Sequence, residues 1–176
     1  MKTSQEGINF LKAREGYRPK AKTDGAKYTI GYGNTMWEDG SPVREGQTIT
    51  EARAEQLFRN ILADFEKDVT ALVSAKLTQS QFDALVSYAY NRGSYKFANT
   101  TLLKMVNANP NDPNIRKQFE IEWGTNTTYK NGLIKRRRLE AELYFSNSSG
   151  GTLAQPQNLL LLGVGAVLVG VLISKK

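Results

Sequence analysis

Near its C-terminal end the chain runs through fifteen consecutive residues, Leu159 to Ile173, that are only Leu, Gly, Val, Ala or Ile. Wound as a helix, that run has no polar face, so it cannot lie half in water as an amphipathic helix does. Fifteen to seventeen residues rise about 23–26 Å at 1.5 Å per residue. A hydrocarbon core is about 30 Å thick, and bilayer thinning or extension of flanking Lys stems closes the difference. Ser174, Lys175 and Lys176 follow the run, and the Gly/Ser/Pro-containing stretch NSSGGTLAQPQN precedes it at 147–158. The expected organisation is therefore a globular domain over 1–146, a flexible linker over 147–158 and a transmembrane anchor over 159–174. A docked core helix or partner-binding tail is the competing reading. The opening MKTSQEGINFLKAREG has no apolar stretch of the length an export signal needs.

There is no Cys and no His in the chain. Disulfides, thiolate metal sites, His-based triads and imidazole acid–base chemistry are excluded. Catalysis has to rest on carboxylates, hydroxyls, Lys, Tyr or a borrowed cofactor; no metal or resident cofactor is expected. The net charge of +7 points to an anionic partner such as nucleic acid, a membrane surface or a cell-wall polymer.

Helical periodicity dominates the domain. Ser4 is placed to cap a first helix that reaches Glu15 and stops at Gly16. Residues 17–47, rich in Gly, Tyr and Thr, read as short strands with turns at Asp24-Gly25 and Asp39-Gly40. Leu57, Ile61, Leu62, Phe65, Val69 and Leu72 recur in steps of three and four, which predicts an amphipathic helix from Thr50 to Val73. Thr78 and Gln81 form a capping-box pattern ahead of Phe82, Leu85, Val86, Ala89 and Tyr90. Further helices are expected at 100–108, 113–123 and 132–145. The fold class is α+β and mainly helical, with a small N-terminal β-hairpin region, a helical body and one C-terminal membrane helix.

Two carboxylates stand out. Ile8, Leu11 and Glu15 share one helix face, the face that turns to the core. Burial and the negative end of the helix dipole both favour the uncharged acid at such a position, which suits a general acid. A helix-end Glu paired with a neighbouring Arg or Lys is the plainer reading. Asp24 follows nine residues later at a turn, where water keeps a carboxylate charged; an ordinary turn residue is the alternative. One carboxyl held near neutrality beside one left ionised is the division of labour that glycoside hydrolysis uses.

The pair belongs to a longer pattern. EG at 15–16, Asp24 and TIGYGNT at 29–35 resemble the signature of phage-type lysozymes, the T-even phage muramidase family (glycoside hydrolase family 24). The similarity continues through TITEARAEQLF at 48–58, LTQSQFDALVSYAYNRG at 77–93, TTLLKMVN at 100–107 and GLIKRRRLEAELY at 132–144. It implies a lysozyme-like fold and hydrolysis of the β-1,4 bond between N-acetylmuramic acid and N-acetylglucosamine in peptidoglycan. On the matching positions, Glu15 is the proton donor, Asp24 the second catalytic carboxylate and Thr29 the residue that helps place the attacking water. Thr35, just after the hairpin strand, is a candidate substrate contact. The resemblance also implies an endolysin or a virion-associated lysozyme, acting in phage lysis or wall penetration.

Two departures from the family pattern stand out. Asp24 and Thr29 are one residue closer than usual, which demands a tighter loop. Asn34 replaces a His commonly found after TIGYG, which predicts a change in stability and not in chemistry. Lys12, Arg14, Arg18, Lys20, Lys22 and Lys27 crowd the same region as a positive rim or a solvated face. Lys135 to Arg138 read as part of the helical body, so no nucleic-acid partner is expected. Tyr88, Tyr90 and Trp123 fit a sugar groove or a core. The expected partners are bacterial peptidoglycan and, through the tail, a lipid bilayer. The catalytic domain is expected to be monomeric. The expected location is membrane-anchored, in a viral membrane or the host inner membrane, with the domain facing peptidoglycan. A lytic transglycosylase and a membrane-anchored wall-binding structural module are the rival readings.

Overall fold

The computed structural model describes residues 1–121 and 130–146. The linker at 147–158, the apolar segment at 159–174 and Trp123 lie outside the described residues. Among the described residues, no helix is long and apolar enough to cross a membrane.

Helix α1 spans Gln5–Glu15. The Ser4 hydroxyl caps it by accepting from the Gly7 N–H at 3.0 Å, which satisfies one of the amides a helix start leaves open. The same hydroxyl donates to Asp83, and the Ser4 N–H reaches Asp83 at 3.0 Å. Asp83 thus ties the start of α1 to α3, Gln79–Arg92. Gly7 is what lets the two helices meet, since a Cβ there would stand 2.6 Å from Asp83 Cγ.

Strands β1, Arg18–Asp24, and β2, Lys27–Gly31, form one antiparallel pair. Asp24 pairs with Lys27, so the loop between them is only Gly25 and Ala26. Gly25 takes φ +75°, a left-handed value that Gly adopts without a Cβ clash. The tighter loop that the shortened spacing demands is therefore a two-residue hairpin turn. Strands do not continue to 47. Beyond Gly31 the chain makes single bridges, Ile30 with Asn34 and Met36 with Pro42, and Lys20 of β1 pairs with Thr48.

Helix α2, Glu51–Leu72, is 22 residues long and starts at Thr50, whose hydroxyl accepts from Arg53 N. It carries the hairpin region to the body, where it packs on α3. The capping box at Thr78 and Gln81 is formed as the sequence predicts. Short α4, Ser94–Ala98, has no counterpart in the sequence reading; five residues are too few to show a period. Helices α5, Thr101–Ala108, α6, Asn114–Ile121, and α7, Lys130–Tyr144, complete the body. Helix α3 is central, buried on nearly every side and packed against α1, α2 and α7. Tilted and edge-to-face ring contacts run from Tyr17 to Tyr32, Phe58 and Tyr90, with centroids 5.4–5.8 Å apart. This aromatic chain fixes the hairpin region to the body.

Candidate active site

Glu15 is the last residue of α1. Gly16 ends the helix with φ +69° and donates its N–H to the Lys12 carbonyl at 3.0 Å. Because Ile8 and Leu11 are buried in the core, Glu15 on the same face is carried inward and is only 6% exposed. Its carboxylate does not stand alone. Arg136 of α7 places Nη1 2.7 Å from Glu15 Oε1. The plainer reading of a helix-end Glu paired with a base is thus realised, by a residue 121 positions away.

Arg136 is itself held. Its Nε donates to Glu140 Oε1 at 3.0 Å, and Glu140, fully buried, also accepts from the Ser87 hydroxyl at 2.8 Å. Arg137 bonds to Glu140 and to Asn91 of α3. Burial opposes the charge of Arg136, but Glu15 and Glu140 outweigh it and raise its pKa. Burial lowers that of Arg137 despite Glu140. Tyr90, on the neighbouring face of α3, has its phenol pushed up by burial and then by the negative charge of Glu15.

A hollow of about 260 Å³ opens beside this cluster, lined by Ala13, Arg14, Gly132, Lys135, Arg136 and Leu139. Burial, and then repulsion from Arg136, lower the pKa of Arg14. Within the rim read from sequence, Lys12 is spent on Glu55 at 2.7 Å. Lys20, Lys22 and Lys27 stay exposed on the hairpin.

The other predicted residues sit on the hairpin and just beyond it. Asp24 ends β1 at the mouth of the turn. Thr29 pairs with Lys22 across the strands and is 2% exposed. Its hydroxyl lies 3.4 Å from the Lys22 carbonyl and accepts from Arg18 Nη1 at 3.3 Å. Thr35 accepts through its carbonyl from Val43 N at 2.9 Å. It lines a small hollow of about 30 Å³ with Asn34, Ile61, Phe65 and Tyr90. Glu15, Thr29 and Thr35 therefore bond to different partners, while Tyr90 lines the Thr35 hollow and feels the charge of Glu15. Asn34 is 3% exposed; its backbone closes on Ile30 while neither side-chain atom has a hydrogen-bond partner.

Sequence reasoning placed Arg136 in the body of its helix and passed over Glu140. The signal was present: Arg136 and Glu140 are i, i+4, and Arg137 and Glu140 are i, i+3, spacings that meet on one helix face. The run Lys135–Arg138 is split, since Arg137 is fully buried while Arg138 is 63% exposed against Glu120. Tyr88 and Tyr90 are core residues, at 0% and 6% exposure.

The phage lysozyme family matches residues 12–140. The endolysin of Bacillus phage B103 is 41% identical over 154 residues, covering 85% of this chain and 56% of that protein. The endolysin of Salmonella phage P22 is 36% identical over 153 residues, covering 83% of this chain and 99% of the relative. The crystal structure of a P22 lysozyme mutant superposes with a TM-score of 0.73 at 35% identity, over 83% of this chain and 99% of that one. The chain thus spans little more than half of one relative and nearly all of another, with Glu15, the hairpin and Arg136 all inside residues 12–140 that the family matches: it belongs to the phage lysozyme family.

Proposed function

We propose that the chain is a muramidase in which Glu15 is the proton donor and Asp24, with Thr29, directs the attacking water. It is a glycoside hydrolase acting on bacterial peptidoglycan. The observation that carries the assignment of roles is the burial of Glu15 at the end of α1, bonded to Arg136. Protonated Glu15 gives its proton to the glycosidic oxygen as the C1–O bond breaks. Asp24 takes a proton from the water that adds to C1, which inverts that centre. Proton transfer leaves Glu15 as a carboxylate, and Arg136 stands ready to pair with it. Thr35, beside Tyr90, contacts the substrate. The exposed Lys20, Lys22 and Lys27 raise the local concentration of stem-peptide carboxylates.

Residues 1–146 form the catalytic domain, 147–158 the linker and 159–174 a membrane anchor. The protein then works from a bilayer, viral or host, with its domain towards the wall. The sequence pattern alone supports that anchor.

Glu15→Gln keeps the shape but removes the proton. Lysis of purified walls, followed by turbidity, should fall at least about 10²-fold, with the circular dichroism spectrum unchanged. Asp24→Asn should be similarly impaired. A folded, active Glu15→Gln protein would remove Glu15 from the mechanism. Wild-type products ending in 1,6-anhydro sugars would show a lytic transglycosylase instead.

A further inference from the structure

Arg136 serves two carboxylates through different nitrogens, Nη1 to Glu15 at 2.7 Å and Nε to Glu140 at 3.0 Å. Both acids and both arginines of the cluster are buried or nearly so, at side-chain exposures of 7%, 0%, 10% and 0% for Glu15, Glu140, Arg136 and Arg137. With Glu15 ionised, two guanidiniums face two carboxylates and the cluster is neutral. A general acid has to carry its proton before the reaction, and then Glu140 is the remaining anion against Arg136 and Arg137.

We propose that Glu140 is a positioning residue for the reaction: it holds Arg136 beside Glu15 and offsets the charge of Arg136, so that Glu15 can gain and lose its proton inside the buried cluster. The proposal rests on Glu15 being the proton donor. The geometry of Glu140 suits the role. Its Oε1 takes both Arg136 Nε and the Ser87 hydroxyl, and its Oε2 faces Arg137. Donors on α3 and α7 thus keep the carboxylate in place whatever Glu15 does. Without it, two cations would act on Glu15 with no internal counter-charge, and removing one partner of a buried pair leaves the other charge uncompensated.

Other charged groups face the cluster. Arg14 and, through Arg14, Glu142 approach from α1 and α7. Tyr90 and Tyr88 approach from α3, Tyr88 with its ring 4.2 Å from the Arg137 guanidinium carbon. All remain in place in the variants below, so the change tested is that of Glu140 and Arg137 alone.

The experiment is the pH profile of kcat/KM on soluble peptidoglycan fragments, whose alkaline limb reports loss of the essential acid in free enzyme. Glu140→Gln removes an anion and should move that limb to lower pH by about 1–3 units. Arg137→Gln removes a cation and should move it to higher pH. Ser87→Ala removes the Ser87–Glu140 hydrogen bond without changing charge and should leave the limb where it is. Folding of each variant at the assay temperature is checked by circular dichroism. Limbs that coincide with wild type, or that move the same way in both charge variants, overturn the proposal. If one charge variant does not fold, the direction seen in the other decides. If neither folds, the cluster is scaffolding and the positioning role is withdrawn. An active Glu15→Gln protein would instead overturn the assignment of the acid, which separates the two failures.

Discussion

At the scale of single residues, the site turns on one guanidinium that has to be in two places. Arg136 can meet Glu15 and Glu140 together because its nitrogens form a rigid planar fork. Arg136→Lys keeps the charge and discards the fork, since one ammonium on a flexible stem cannot reproduce both directions. The expected loss is one charge-assisted hydrogen bond, about 1.5–3 kcal/mol, or roughly tenfold to a hundredfold in rate. It should be read mainly in kcat, with KM for wall fragments little changed. An equal rise in KM with kcat intact would place Arg136 in substrate binding instead. The two sides of this ion pair differed in legibility. Glu15 could be singled out because Ile8, Leu11 and Glu15 share one helix face over two turns, a local pattern. Its partner lies 121 residues on, and a separation of that size leaves no trace in local spacing. Asn34 was legible only as a departure: the substitution was visible, but not that its carboxamide would be buried with no hydrogen-bond partner.

At the scale of elements, Glu15, the proposed acid, is only as well placed as the helix that carries it. The start of α1 is fixed by Ser4 and Asp83, its first turn rests on α3 through Gly7, and its end is set by Gly16. Gly7→Ala should therefore disturb more than one contact. The added methyl would meet Asp83 Cγ at 2.6 Å, Asp83 Cβ at 2.9 Å and Thr3 Cγ2 at 2.8 Å. Asp83 cannot easily swing aside, because Ser4 and Gln79 hold it. In an open helix the same change would stabilise through better helix propensity. Here the steric cost of overpacking, about 1–3 kcal/mol, wins. Urea denaturation should show a lower midpoint with an unchanged slope, and an unchanged or raised midpoint would refute the close approach. The helices expected from caps and apolar period, α1, α2, α3, α5, α6 and α7, all form within a few residues of their expected bounds; of the described helices, only the five-residue α4 was not legible. The hairpin was legible from Asp24-Gly25, although the turn itself is Gly25-Ala26. The Asp39-Gly40 turn forms as expected, but the rest of residues 32–50 was not legible, because their backbone is satisfied by scattered bridges and loop bonds and not by strand pairing.

At the scale of the whole molecule, two physical forces are assigned to two parts of the chain, and salt separates them. The domain carries the basic excess, with Lys20, Lys22 and Lys27 exposed on the hairpin. Attraction of such charges to an anionic wall is screened within about 8–10 Å at physiological to 0.1 M salt. Sedimentation of residues 1–146 with purified walls should therefore weaken steadily as NaCl is raised. The segment Leu159–Ile173 carries no charge, so the proposed attachment to a bilayer would depend on apolar burial, which screening does not touch. Lys175 and Lys176 can extend their stems and keep their ammonium groups at the headgroups. The full chain should consequently float with liposomes in a density gradient at low and at high salt alike, and leave them only in detergent. A chain lacking 147–176 should stay with the soluble fraction and keep its activity on wall fragments. Release of the full chain by salt alone would reduce the tail to an electrostatic contact. Unfolding of 1–146 on removal of the tail would make that segment part of the core, and the division of the chain into domain, linker and anchor would then fail.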